Sequence, residues 1–243
     1  MKSLALSTRT AKEILRDPIN LAFGLGFPII LLLLLSAIQA NVPVSVFEIA
    51  SLAPGIAVFG LSFMTLFSAS LLSRDRESAL LHRLYTAPLS AADFICGYAL
   101  PMLPIALMQS LVCYIAAVAL GLPLTPRIAL AVLLMLPAIL LFIALGLLFG
   151  SILGIKQVGG ICGALLTNLT AWFSGAWFDP NLVGGFFKAL SNALPFLHAV
   201  ELQRAVLRGD YAAIFPHLYW VVGYAIAAAI AAVLLFLRQM KRQ

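Results

Sequence analysis

The residues best able to do chemistry in this chain are few. Glu201 and Arg204 stand three apart, with His198 one helical turn before Glu201, so the three can share one side of a helix. A pair of that kind can guide a polar group of a substrate, or simply satisfy itself at a surface. The densest charged run is Arg74-Asp75-Arg76-Glu77. Cys96, Cys113 and Cys162 are odd in number, sit in apolar segments and lack metal-ligand spacing, so neither a structural metal nor a catalytic thiol is expected. No stretch matches G-x-x-x-x-G-K-[ST]; Gly150 to Lys156 has neither the glycine spacing nor the following hydroxyl, so ATP binding through a phosphate-cradling loop is not expected. An enzyme acting on lipid phosphates would gather carboxylates or histidines at one place for metal binding or acid–base work. Asp93, Glu201 and His198 would have to serve, and Asp93 lies far from the other two in sequence.

The elements that must carry these residues follow from composition. Of 243 residues, 63% are hydrophobic and 10% charged, against roughly a quarter charged in soluble domains; mean hydropathy is +1.08. A soluble fold could not cover so much apolar surface, whereas lipid accepts it. Barrel strands would alternate apolar and polar residues, but Phe27 to Ile38 and Ala129 to Phe149 are apolar all round, which leaves helices. At about 20 residues per crossing, six spans are expected at 21–39, 52–72, 94–120, 128–150, 158–178 and 218–237. None contains Asp, Glu, Lys or Arg. Ion-coupled carriers place ionisable groups inside the membrane, so the chain offers a passage without an engine: a transporter subunit driven by another protein, or a passive channel or scaffold.

Basic residues choose the orientation. Eleven of the fifteen lie in the N-terminal stretch, the second-to-third loop, at Lys156 and in the tail, which makes both termini cytoplasmic. A signal peptide fits the start poorly, because the leading segment carries Glu13 and Asp17 and its apolar run is long.

Residues 1–17 are expected to form an amphipathic interface helix, with Leu4, Ala11, Ile14 and Leu15 on one side and Arg9, Lys12, Glu13 and Arg16 on the other, ended by Asp17-Pro18. Residues 73–90 form a short cytoplasmic segment with an apolar stripe of Leu80, Leu81 and Leu84, and Ser90 and Asp93 are placed to cap the third span. This segment suits a docking surface or an interfacial helix. Residues 179–216 are too long for a turn; Asp179-Pro180-Asn181 marks a bend, and Ala193 to Leu207 reads as a helix stopped by Gly209, dipping into the membrane or lying on it. Trp172, Trp177, Tyr219 and Trp220 fit an aromatic belt, and Gly146, Gly150 and Gly154, like Gly159 and Gly163, recur at a spacing that lets helices pack closely.

Arg74-Asp75-Arg76-Glu77, Leu80, Leu84, Pro88-Leu89-Ser90 and Gly97 resemble the cytoplasmic loop of the ABC-2-type transporter permeases. Arg16-Asp17-Pro18, Phe173-Ser174-Gly175 with Phe178 and Pro180, and Asn192-Ala193-Leu194-Pro195-Phe196 through Glu201 and Arg204 resemble further segments of that family in the same order, although the proline here follows the asparagine by three residues. The resemblance implies an all-α polytopic membrane protein made of one transmembrane domain over 1–243. It implies a coupling helix with Arg74, Arg76, Glu77, Leu80, Leu81 and Leu84 docked on a separate ABC ATPase, with the interface helix alongside. ATP and magnesium would bind that partner, and this chain would hold no cofactor and no metal. A second permease chain, identical or not, would complete the transporter in the plasma (inner) membrane, with lipid around it and no nucleic acid. Glu201, Arg204 and His198 would stand at an extracytoplasmic gate, and the cargo would be a drug, a lipid or a lipid-linked glycan, moved outward.

Overall fold

The computed structural model describes residues 2–42, 47–78 and 91–240, and every regular element among them is a helix. Helix α1 is Lys2–Leu15. Helix α2, Pro18–Asn41, starts on Pro18, where the missing N–H costs nothing, behind Asp17, whose carboxylate accepts the Asn20 N–H at 3.1 Å. Helix α3 is Ile49–Glu77, α4 is Ala91–Ala119, and α5 is Pro126–Ile152 with a slight break at Met135. Helix α6 covers 155–173 and has a π-helical middle, Gly159–Leu166. Two short helices, α7 (Pro180–Val183) and α8 (Gly185–Ala193), lead to α9 (Pro195–Arg208) and then α10 (Tyr211–Met240).

Among the described residues, five helices are long and apolar enough to cross a membrane: Pro18–Asn41, Ile49–Glu77, Asp93–Ala119, Pro126–Ile152 and Tyr211–Arg238. The chain is therefore a polytopic helical membrane protein. The stretch expected as the fifth of six crossings is helical but is not one of these five. The helix there runs over 155–173, ending at Phe173 rather than Phe178, and carries Lys156, Gln157, Thr167, Asn168 and Thr170 among its apolar residues.

Helix α3 is the hub. In its most apolar window 89% of residues are buried, against 17% in α2 and 22% in α10, whose outer faces are left for lipid. Glycine lets the neighbours approach it. A Cβ on Gly146 of α5 would lie 2.6 Å from Ser68 Cβ and 2.7 Å from the Thr65 carbonyl, and one on Gly150 would lie 2.8 Å from the Ala69 carbonyl. The Thr65 hydroxyl donates to the Phe142 carbonyl at 2.7 Å across the same contact. The first glycine series thus packs two spans together. Gly159, in contrast, faces open space.

The interface helix lays one side against the bundle. Leu6, Thr10 and Ile14 are buried and Leu6 seats on Gly97 of α4, whereas Leu4 and Leu15 are exposed. The seat is set by the glycine gap in α4, which no pattern within α1 reveals. Helix α3 also runs on through the charged run, so Arg74, Arg76 and Glu77 occupy its last turns rather than a separate helix. Leu80, Leu81, Leu84 and Ser90 lie outside the described residues.

Candidate functional site

The charged side chains gather at the two ends of the bundle. At the α1 end, Asp75 is buried and receives both guanidinium nitrogens of Arg9, Nη1 at 2.5 Å and Nη2 at 2.9 Å. The Tyr98 hydroxyl, on α4, donates to Asp75 Oδ2 at 2.5 Å, and Arg9 also pairs with Glu13 at 2.8 Å. Hydrogen bonding to Asp75, with its charge, pushes the Arg9 guanidinium above its ordinary range, and burial opposes this. Arg9 therefore stays charged and ties α1 to α3. Lys12 and Arg16 are exposed on α1, and Arg74 is exposed on α3.

Arg76 and Glu77 turn toward the loop between α5 and α6. Arg76 donates to the carbonyls of Ser151 and Leu153, and Glu77 Oε1 accepts the Ile155 N–H at 2.8 Å. The Ser73 hydroxyl, itself buried, adds a bond to the Leu153 carbonyl at 2.9 Å.

At the opposite end, α9 is drawn into the bundle between α3, α5 and α10, with ten of its residues buried. Gly209, with φ +79°, adopts the left-handed conformation that ends it. Arg127, at the start of α5, donates to the carbonyls of Leu207 and Arg208 and holds that end in place. Arg204 is the clamp of this region. It donates to the Ser51 carbonyl at the start of α3, to the Gly175 carbonyl beyond α6 at 2.8 Å, and to Glu201 at 2.8 Å. Arg208 reaches the other Glu201 oxygen at 3.4 Å.

Glu201, Arg204 and Arg208 line a cleft of about 680 Å³ with Ser51, Trp177, Phe178, Asp179, Asn192 and His217. The expected trio of Glu201, Arg204 and His198 is brought to one place, but His198 does not pair with Glu201. Its Nδ1 lies 2.8 Å from Nδ1 of His217, its Nε2 lies 2.9 Å from the Asn192 carbonyl, and Trp220 stacks on its ring at 5.0 Å.

Sequence reasoning did not single out His217, nor Asp75 and Tyr98 as a latch, nor the polar groups inside the bundle. Gln109 is buried in α4 against Gly60 of α3, with its amide nitrogen donating to the Ala57 carbonyl at 3.3 Å. The buried Tyr114 hydroxyl donates to Gln203 Oε1 at 3.0 Å and so ties α4 to α9. A glutamine inside an apolar run was the available signal, since its amide must find a partner in lipid.

Charge held at both ends, an apolar lipid-facing surface and a helix drawn into one end of the bundle describe a membrane-spanning domain. A family model described as ABC-2 type transporter matches residues 2–207. The chain belongs to the ABC-2 type transporter family. Within this ABC-2 transporter the match runs from α1 into the last turn of α9, so it takes in both charged ends, while α10 lies beyond it. A search of curated proteins finds no match to the chain. Among the described residues of the ABC-2 transporter no three His, Cys, Asp or Glu side chains come together to hold a metal ion.

Proposed function

We propose that this chain is the permease subunit of an ABC exporter, driven by ATP hydrolysis in a separate ATPase. The family match carries the reading. The six proposed crossings, 21–39, 52–72, 94–120, 128–150, 158–178 and 218–237, hold no Asp, Glu, Lys or Arg, so the driving energy enters at an end of the bundle. The α1 end is its cytoplasmic end, where Leu80, Leu81 and Leu84, with exposed Arg74, dock on the ATPase and Lys12 and Arg16 line the same face. ATP and magnesium are bound by that partner. Two permease chains and two ATPases form the transporter in the plasma membrane. The cleft at the α9 end is the outward gate, held shut by Arg204 between α3 and the end of α6, with Glu201 and His198 beside it. An apolar path suits an amphipathic cargo such as a drug, a lipid or a lipid-linked glycan.

The test is reconstitution of the full chain with its ATPase in nanodiscs. Leu80→Asp and Leu84→Asp should each abolish ATPase retention while leaving the thermal unfolding of the permease unchanged. Full retention in both variants would refute docking through this segment. Solute flux through liposomes holding this chain alone would favour a passive channel.

A further inference from the structure

Arg76 and Glu77 sit at the base of the segment proposed to receive the ATPase, yet the bonds described for them run inward. The turn they grip joins two helix ends of opposite polarity. Helix α5 ends at Ile152, so the carbonyls of Ser151 and Leu153 lie where intrahelical donors run out and the helix dipole is negative. Helix α6 begins at Ile155, whose N–H lies where acceptors are missing and the dipole is positive. The cation goes to the first and the carboxylate to the second. Neighbouring residues on one helix thus satisfy the end of α5 and the start of α6 together.

The turn is shaped for this. A Cβ on Gly154 would lie 2.9 Å from Glu77 Oε1, so glycine leaves room for the carboxylate. The Gly154 N–H is taken by Gln157 Oε1 at 3.1 Å, and the next N–H, of Ile155, is left to Glu77. One turn back, Gly150 is packed on Ala69, so α3 and α5 already form one body at this level. Helix α6 is held differently: Val158 and Cys162 pack with Ala69, but its π-helical stretch begins at Gly159, and Gly159 and Gly160 meet open space.

We propose that Arg76 and Glu77 form a transmission joint that makes the start of α6 follow the cytoplasmic end of α3 when the ATPase moves the segment after Glu77. They act as positioning residues and make no essential ATPase contact. The joint rests on the permease reading above for its source of motion, while its geometry stands on the bonds alone.

The experiment is amide hydrogen exchange on the full chain in nanodiscs, with its ATPase and with or without Mg-ATP. In the permease alone, Glu77→Ala should speed exchange of the Ile155 amide about tenfold through loss of a charge-assisted bond. Glu77→Gln, which keeps an accepting oxygen, should recover much of that protection. In the complex, Mg-ATP should change exchange in both 73–78 and 155–163 of the wild type. In Glu77→Ala and Arg76→Gln the response should persist in 73–78 and vanish from 155–163, with the ATPase still bound. A merely structural staple would leave the nucleotide response in both segments, and that result would overturn the joint. Release of the ATPase by either variant would also overturn it, by assigning the pair to docking. Unchanged Ile155 exchange in the permease alone would refute the geometry whatever the partner does. Failure of the wild type to hold any ATPase would sink the permease reading and, with it, the transmitting role, while leaving the Ile155 result to stand.

Discussion

Removing Arg9 should free α1 from the bundle far more than removing the carboxylate it holds. Asp75 is 3% exposed, and Arg9→Ala strips it of two charge-assisted bonds, leaving the Tyr98 hydroxyl as its side-chain donor among the described residues. Breaking a fully buried pair costs about 3–5 kcal/mol. The Arg9 side chain is 37% exposed, so water can reach part of the gap and the figure falls to about 2 kcal/mol. At 1.36 kcal/mol per factor of ten, that is roughly a thirtyfold rise in the undocked population of α1. Asp75→Asn keeps an acceptor for Tyr98 and releases Arg9 to water, and should cost only about 1 kcal/mol. The double variant should resemble Asp75→Asn, because the penalty comes from a buried charge that is no longer there. Limited trypsin digestion reads this directly, since Lys12 and Arg16 are exposed on α1 and become cleavable as the helix lifts. Cleavage of Arg9→Ala at the wild-type rate, or simple additivity in the double variant, would refute the latch.

Gly146→Val should lower the unfolding midpoint, since its side chain meets the backbone of α3 and overpacking of this kind costs about 1–3 kcal/mol; Gly159→Ala, facing open space, should not, and equal midpoints would contradict the packing described. Arg204→Ala should cost about 2–4 kcal/mol by leaving the Ser51 and Gly175 carbonyls without this donor. Arg204→Lys should restore only part of it, because one ammonium cannot span both carbonyls, and wild-type stability of the alanine variant by thermal scanning would show that the clamp is idle.

Much of this fold is legible where the signal is local. Apolar runs locate five crossings, Asp17-Pro18 marks the break between α1 and α2, and Gly209 stops α9 as its position suggests. What sequence spacing misses is decided by partners far along the chain. Asp75 looks like one charge in a solvated run, but Arg9, 66 residues earlier, and Tyr98 draw it inside. Arg76 and Glu77 read as surface charges because their partners, the ends of α5 and α6, have no side-chain signature. His198 points to Glu201 by helical spacing, whereas its partner, His217, is 19 residues on, beyond a glycine-terminated turn. Glu201 and Arg204 pair as their spacing implies, but the carbonyl contacts that make Arg204 a clamp are non-local.

The central claim is that the driving energy comes from a separate ATPase seated on the α1 end. It is tested most directly by the mass of the complex released intact from its native membrane. The account predicts two permease chains with two copies of an ATP-binding-cassette ATPase, dissociated by Leu80→Asp. A complex that holds only this chain, under conditions where solute still crosses the membrane, would contradict it.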